Sequence, residues 1–354
     1  MPRTDTCSTC DSLIQKIAAA ENDESRAPLL AEKELHLRKA KAFYDLKKKW
    51  QEKARNGEAM VVCFDFMQNL PLPHIRDNLA FRCRQLWYYV FGVHNLKDDS
   101  ATMYTYDETI AKKGQNEVTS LLFHYFTQVP DITSRNLVLI SDGCPGQNKN
   151  YVMMHFMYLL VHCLKLFDNI TYIFPIRGHS FLPNDQDFSI ISKRKAVEVA
   201  EIPEHWDTII QTCRSNPSPF NLIKVQQKHF FNVKLSTDKY FLKNPRPPIK
   251  LKSLRMYRIQ AKNKFLEIRD SYSGPWRQSI LRNKIPLSNE LQLVPLYREP
   301  LAINPLKLKD LQTLSKVLSK REHTGFYNAL RPTESNIAEL SDIDPEDNSS
   351  GCDE

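Results

Sequence analysis

No apolar run in the chain approaches the ~20 residues that span a bilayer, and its first residues lack a secretory signal pattern. Both absences predict a soluble, intracellular protein that is neither membrane-bound nor secreted. Glycine is scarce, 9 residues in 354 against 21 prolines, which fits a chain of many bounded elements. The eight cysteines form no disulfide-type framework. Cys63, Cys83 and Cys163 sit inside apolar segments, as reduced buried thiols do. There is no internal repeat. Basic residues are missing from one end: Thr333 to Glu354 holds eight acidic residues and no basic one, which predicts a disordered acidic tail.

The remainder is strongly basic. The first 332 residues carry 49 Lys and Arg against 33 Asp and Glu, a formal +16. A body of that charge suits a polyanion, nucleic acid before others, although a solubilising surface would look the same. Apolar content of 42% and charged content of 25% are ordinary for a globular protein, and the length allows one large domain or two smaller ones.

Two stretches carry the chemistry. Leu137-Val-Leu-Ile140 reads as a strand buried on both faces; it stops at Ser141-Asp142-Gly143, and a helix follows from Tyr151 to Phe167. An acid at the carboxyl end of a strand in an open α/β sheet stands where sites form, though Asp142 could also be a helix cap or an Asx-turn. In Met60-Val-Val-Cys-Phe-Asp-Phe66, Asp65 interrupts an otherwise apolar strand, an expensive placement unless a cation or dense hydrogen bonding compensates it.

The other elements follow in order. Cys7-Ser-Thr-Cys10 is half of a structural zinc site, with His36 the nearby candidate for a further ligand. Asp11 to about Arg55 reads as a short helix to Glu21 and a long one after Pro28. Sevenfold spacing of Leu30, Leu37 and Tyr44, and of Phe43 and Trp50, hints at a coiled-coil or hairpin seam through which the chain would oligomerise. Leu70 to Pro73 reads as a loop; Arg84–Val93 and Met103–Asp107 read as strands forming a meander with the first. Gly114 opens an amphipathic helix with Glu117 in its first turn, where helix-dipole complementarity would suffice to explain it. Ile170–Phe174 is a fifth strand, leading to Arg177-Gly-His179 and to Asp185 and Asp187, ahead of a helix expected from Phe188 to about Ala200. Beyond it, Pro203–Thr212 reads as helix, Phe220–Val233, Leu254–Gln260 and Phe265–Arg269 as strands, and Leu306–Leu318 as a late helix.

The expected fold is α/β: a mixed five-stranded sheet with flanking helices. Its segments are residues 1–57 (C-x-x-C and helices), 58–200 (core), 201–332 (an α+β extension) and 333–354 (the tail). If the first and fourth strands are parallel neighbours, Asp65 and Asp142 stand side by side, and Glu117, Asp185 and Asp187 can reach the same edge. Such a cluster calls for Mg²⁺ or Mn²⁺, and two ions about 4 Å apart support phosphodiester cleavage. His179 would position substrate or shuttle a proton, or be structural. Gln147, Asn148 and Lys149 would touch phosphate or build the turn.

This order of elements resembles the ribonuclease-H-like superfamily of nucleases, transposases and integrases. More closely, the chain resembles an uncharacterised family of transposon-derived proteins with a ribonuclease-H-like core. The likeness rests on Phe64 to Pro73, Arg84 to His94, Met103 to Glu108, Gly114 to Ser120, Ser141 to Asn150, Gly178 to Pro183 with Asp185 and Phe188, and Tyr297 to Pro300; it spans Pro2 to about Leu330. It implies Asp65, Asp142 and Asp185 as an acidic triad and residence in the nucleus, for which Lys193-Arg-Lys195 is a basic cluster. Three departures stand out: Gly143 replaces the family's usual Asn, Ser189 and Ser192 replace its Gly-x-x-Glu, and relatives often continue upstream of the C-x-x-C. The alternative is therefore a domesticated remnant that binds nucleic acid or protein without cutting.

Overall fold

The structure, a computed structural model, describes residues 7–128, 132, 134–286 and 292–333. The expected acidic tail lies outside the described residues, Thr333 excepted. The strands are β1 (Met60–Phe66), β2 (Leu70–Leu72), β3 (Leu86–Asn95), β4 (Ala101–Asp107), β5 (Asn136–Ile140), β6 (Asn169–Ile173), β7 (Asn221–Lys224), β8 (Phe241–Arg246), β9 (Met256–Gln260), β10 (Leu266–Arg269) and β11 (Arg277–Arg282). The helices are α1 (Ser8–Ala19), α2 (Asp23–Arg55), α3 (Asn78–Arg82), α4 (Gln115–Gln128), α5 (Tyr151–His162), α6 (Pro183–Lys195), α7 (Pro203–Thr212), α8 (Val233–Thr237), α9 (Pro305–Leu314) and α10 (Arg321–Asn328).

All the strands join one mixed sheet, in the order β7-β4-β3-β1-β5-β6-β9-β10-β11-β8, with β2 added on β3. The sheet is therefore not five-stranded as expected. The five anticipated strands form its middle, β4-β3-β1-β5-β6. Beyond residue 200 the chain returns to both sides of them, β7 parallel to β4 and β9 antiparallel to β6. Pairing partners more than eighty residues apart leave no local trace in the sequence, which is why these strands read as a separate extension.

At the centre β1 runs antiparallel to β3 and parallel to β5. Alternation along β1 sends Val62 and Phe64 into a core with α4 and α5, and Val61 and Cys63 into a core with α2. Cys63 and Cys163 are buried and Cys83 is half-buried, and the seven described cysteines are free thiols. Helix α5 is buried along nearly its whole length, Val152 to Val161, as an apolar-all-round helix must be.

Helix α2 begins at Asp23, capped by Asn22, whose side chain accepts the Ser25 N–H; Pro28 lies inside it rather than ahead of it. Of the expected seam, Phe43 is fully buried against the body, while Leu30 and Leu37 are exposed. A second helix in a heptad seam is not seen among the described residues. Helix α6 starts at Pro183, five residues earlier than expected: proline at the first helical position is a start signal, and its missing N–H costs the helix nothing there.

His155 of α5 is buried and stacked on Phe241, ring centroids 4.0 Å apart, and neither ring nitrogen has a hydrogen-bond partner. Burial pushes it down to about 3, and His162 down to about 4. The unfolded chain therefore takes up protons first, so stability is full above about pH 6.5 and is lost as pH falls toward the folded value. His155 alone accounts for a loss of about 2 kcal/mol between pH 7 and pH 5. Replacing it, as in His155→Leu, should flatten the dependence of the urea midpoint on pH over that range.

Candidate metal centres

The first centre is the sheet edge at the carboxyl ends of β1 and β5. Their parallel register pairs Cys63 with Ile140; carried two residues on, it sets Asp65 against Asp142. Asp185 approaches from the first turn of α6. A glycine permits that approach. Gly92 of β3 pairs with Asp65, and a Cβ there would lie 2.9 Å from the Phe188 ring of α6. The bare backbone admits that ring, and Asn184 Nδ2 donates to Gly92 O at 3.0 Å, so α6 sits directly on the strand that flanks Asp65.

Asp65 and Asp142 are half-buried and Asp185 is exposed. Burial, and then the neighbouring Asp142 and Asp185 carboxylates, hold the Asp65 carboxyl well above the usual range; burial raises Asp142 as well. Asp65 accepts the Phe66 N–H at 2.7 Å, and Asp142 accepts from Cys144 N at 3.2 Å and Asn148 Nδ2 at 2.5 Å. The same Asn148 amide, 1% exposed, leaves its Oδ1 without a hydrogen-bond partner. The amide that bonds Asp142 thus carries a buried oxygen with no hydrogen-bond partner, an atom of the kind that calls for an explanation.

The other candidates lie elsewhere. Asp187 is buried in an ion pair with Arg214 at 2.9 Å and accepts from His94 Nδ1 at 2.8 Å, linking α6 to β3 and to the segment after α7. Glu117 is buried at the start of α4, where one carboxylate oxygen takes the Gly114 N–H at 3.1 Å and the other the Tyr297 hydroxyl. Lys149 is buried over the Phe174 ring and pushed down to about 8 by burial and by Arg255.

The second centre joins parts of the chain that sequence spacing does not connect. Cys7 and Cys10 at the start of α1, His36 of α2 and His179 of the segment between β6 and α6 bring their donor atoms within 4.8 Å of one another. Cys7 Sγ lies 3.2 Å from His36 Nε2, Cys10 Sγ 3.4 Å from His179 Nε2, and the two Nε2 atoms are 3.0 Å apart. Tetrahedral zinc with ordinary bond lengths sets N···N at about 3.3 Å and N···S at about 3.6 Å. The group can hold a metal ion. Burial lowers both imidazoles, the second imidazole also disfavouring a proton on His36, so their ring nitrogens are free to ligate at neutral pH. Burial and then Cys7 raise the Cys10 thiol, so a metal must displace its proton. His179, expected to position substrate, shuttle a proton or be structural, belongs to this group. Nothing in the sequence marks it as the fourth ligand, since it lies 143 residues from His36.

Residues 82–272 match the family described as a domain of unknown function, DUF7869. The chain belongs to this family. The span shared with DUF7869 includes Asp142, His179 and Asp185, whereas Asp65, Cys7, Cys10 and His36 lie ahead of it. No curated protein and no solved structure matches the chain. No described helix is long and apolar enough to cross a membrane.

Two outcomes are expected. Asp65→Asn removes a carboxylate that burial and like charge disfavour; without divalent cation it should raise the melting temperature by a few degrees and abolish any further rise on adding Mn²⁺. Gly92→Val should force the Phe188 ring and α6 outward, lowering stability by about 1–3 kcal/mol in urea titration and weakening the same Mn²⁺-dependent rise.

Proposed function

We propose that the protein is a nucleic-acid phosphodiester enzyme, acting on DNA through Mg²⁺ or Mn²⁺ held by Asp65, Asp142 and Asp185, with Zn²⁺ in the Cys7–Cys10–His36–His179 group. The observation that carries this reading is the convergence of the two strand-end carboxylates beside the unpaired Asn148 Oδ1. Divalent ions held by Asp65, Asp142 and Asp185 would supply Lewis-acid chemistry, lowering the pKa of a water for attack on phosphorus and offsetting charge on the leaving oxygen. The basic body would hold the phosphate backbone. The middle order β4-β3-β1-β5-β6, with one acid on β1 and another just after β5, supports a ribonuclease-H-like, transposase- or integrase-type ancestry. In this reading Asp187 and Glu117 serve as supports, because Arg214, His94, Tyr297 and the Gly114 amide already engage their carboxylates. A DNA substrate would place the protein in the nucleus.

A second reading, nucleic-acid binding without cleavage, is favoured by two details. Asp185 accepts the Leu182 N–H at 2.8 Å, and Ser192 stands exposed where the resembled family carries Glu.

The test is cleavage or strand transfer on DNA with Mg²⁺ or Mn²⁺. Asp65→Asn and Asp142→Asn should each lower the rate by at least about a hundredfold, the scale on which lost charge stabilisation acts. Undiminished activity in both variants would overturn the proposal. Salt-sensitive DNA binding with no cleavage would leave the second reading standing.

A further inference from the structure

We infer that the Cys7–Cys10–His36–His179 centre, loaded with Zn²⁺, is a clamp on the arm that leads to Asp185, so that zinc occupancy sets the affinity of the sheet edge for its divalent cation. The link to affinity rests on reading Asp65, Asp142 and Asp185 as a cation site; the clamp itself does not.

The arm is the irregular segment from Phe174 to Leu182, between β6 and α6. It ends at the residue whose N–H the Asp185 carboxylate accepts, so the arm and the carboxylate orient one another. Its contacts with the N-terminal helices are few and concentrated. Cys7 Sγ donates to Arg177 O at 3.5 Å, and His179 meets His36 and Cys10. Gly178, at φ +74, presses on Cys7 so closely that a Cβ would fall 2.7 Å from the Cys7 Cβ; only glycine fits, in space and in conformation. Past the metal group, Lys47 Nζ of α2 donates to Phe181 O at 2.6 Å, and the Phe181 ring lies 6.3 Å from that of Tyr44. Phe181 is left-handed, at φ 37, and 56% exposed. A strained, exposed residue of this kind persists only where neighbours over-determine it.

Without metal the group has thiol-to-imidazole, imidazole-to-imidazole and thiol-to-thiol contacts and the Cys7–Arg177 O hydrogen bond, weak bonds that either partner can exchange for water. Four coordinate bonds to one ion tie α1, α2 and the arm into a single unit, six residues from Asp185. The rest of α2 is anchored independently, with Phe43 and Ala54 buried on the sheet beside Val61 and Val138. Losing zinc should therefore free the arm and leave the sheet intact. Loss of the fixed geometry at Asp185 removes one of three oxygen-donating carboxylates from the preorganised set, which is how a supporting shell tunes metal affinity.

The experiment uses the full chain. Zinc content is measured on the purified protein; zinc is then stripped from the wild type with a chelator and restored, with Cys10→Ser and His179→Ala prepared in parallel. Hydrogen exchange is followed over residues 176–188 and over β1 and β5, and Mn²⁺ binding is followed by electron paramagnetic resonance. One zinc per chain is expected. Stripping it should speed exchange in residues 176–188 at least tenfold, leave β1 and β5 protected, and weaken Mn²⁺ binding about tenfold. Restored zinc should reverse both changes in the wild type and neither in the variants. Asp185→Asn should keep its zinc while losing Mn²⁺ affinity. Absence of stoichiometric zinc, or arm exchange indifferent to zinc, overturns the clamp. Equal Mn²⁺ affinity with and without zinc overturns the link to the sheet edge. No Mn²⁺ binding by the zinc-loaded wild type fails the carboxylate reading instead, and arm exchange then decides the clamp by itself.

Discussion

Two carboxylates at the ends of adjacent parallel strands repel each other, and the low-polarity surroundings of β1 and β5 make the repulsion costly. The neighbourhood of Asp65 and Asp142 follows from that tension. Asn148 turns an amide to Asp142, the Phe66 and Cys144 N–H groups point at carboxylate oxygens, and α6 is admitted onto β3 by the missing side chain of Gly92. These contacts soften the repulsion without cancelling it, because both carboxyls still hold protons more tightly than usual. The buried acids that lie apart from this edge are treated differently. Asp187 meets a guanidinium, Glu108 meets Lys307, and Glu201 is bonded by Ser319 and His323.

Much of the central sheet was legible because its signals are local. Apolar runs broken by an acid identified β1 and β5, and the adjacency of Asp65 and Asp142 followed from one topological assumption, a parallel first and fourth strand. The sequence was silent where partners are distant. The pairing of β9 with β6 and of β7 with β4 joins residues about a quarter to a third of the chain apart, and the metal group draws its ligands from α1, α2 and the arm before α6. Cys7-x-x-Cys10 announced two ligands; His179, far from them in sequence, offered no sign that it completes the group. Sevenfold spacing in α2 covers two environments: Phe43 and Trp50 face the sheet, while Leu30 and Leu37 meet solvent.

The two centres differ in kind, and their ligands explain the difference. Thiols and imidazoles in a closed four-ligand group suit a tightly held structural ion, while the carboxylates of the proposed cation edge would suit an exchangeable one. Their proximity in sequence at His179 and Asp185 gives the short arm between β6 and α6 a double duty, anchoring at one end and presenting a carboxylate at the other.

The position of β1 has a practical corollary. It is the strand between β3 and β5, yet it precedes residue 82, where the shared family span begins. A fragment trimmed to that span would be cut through the keystone: two inner strands would lose their common partner, and each would show a raw hydrogen-bonding edge. Such a piece should recruit a stray strand or precipitate, so the smallest unit that can fold as this protein does must begin upstream, at β1 or before it.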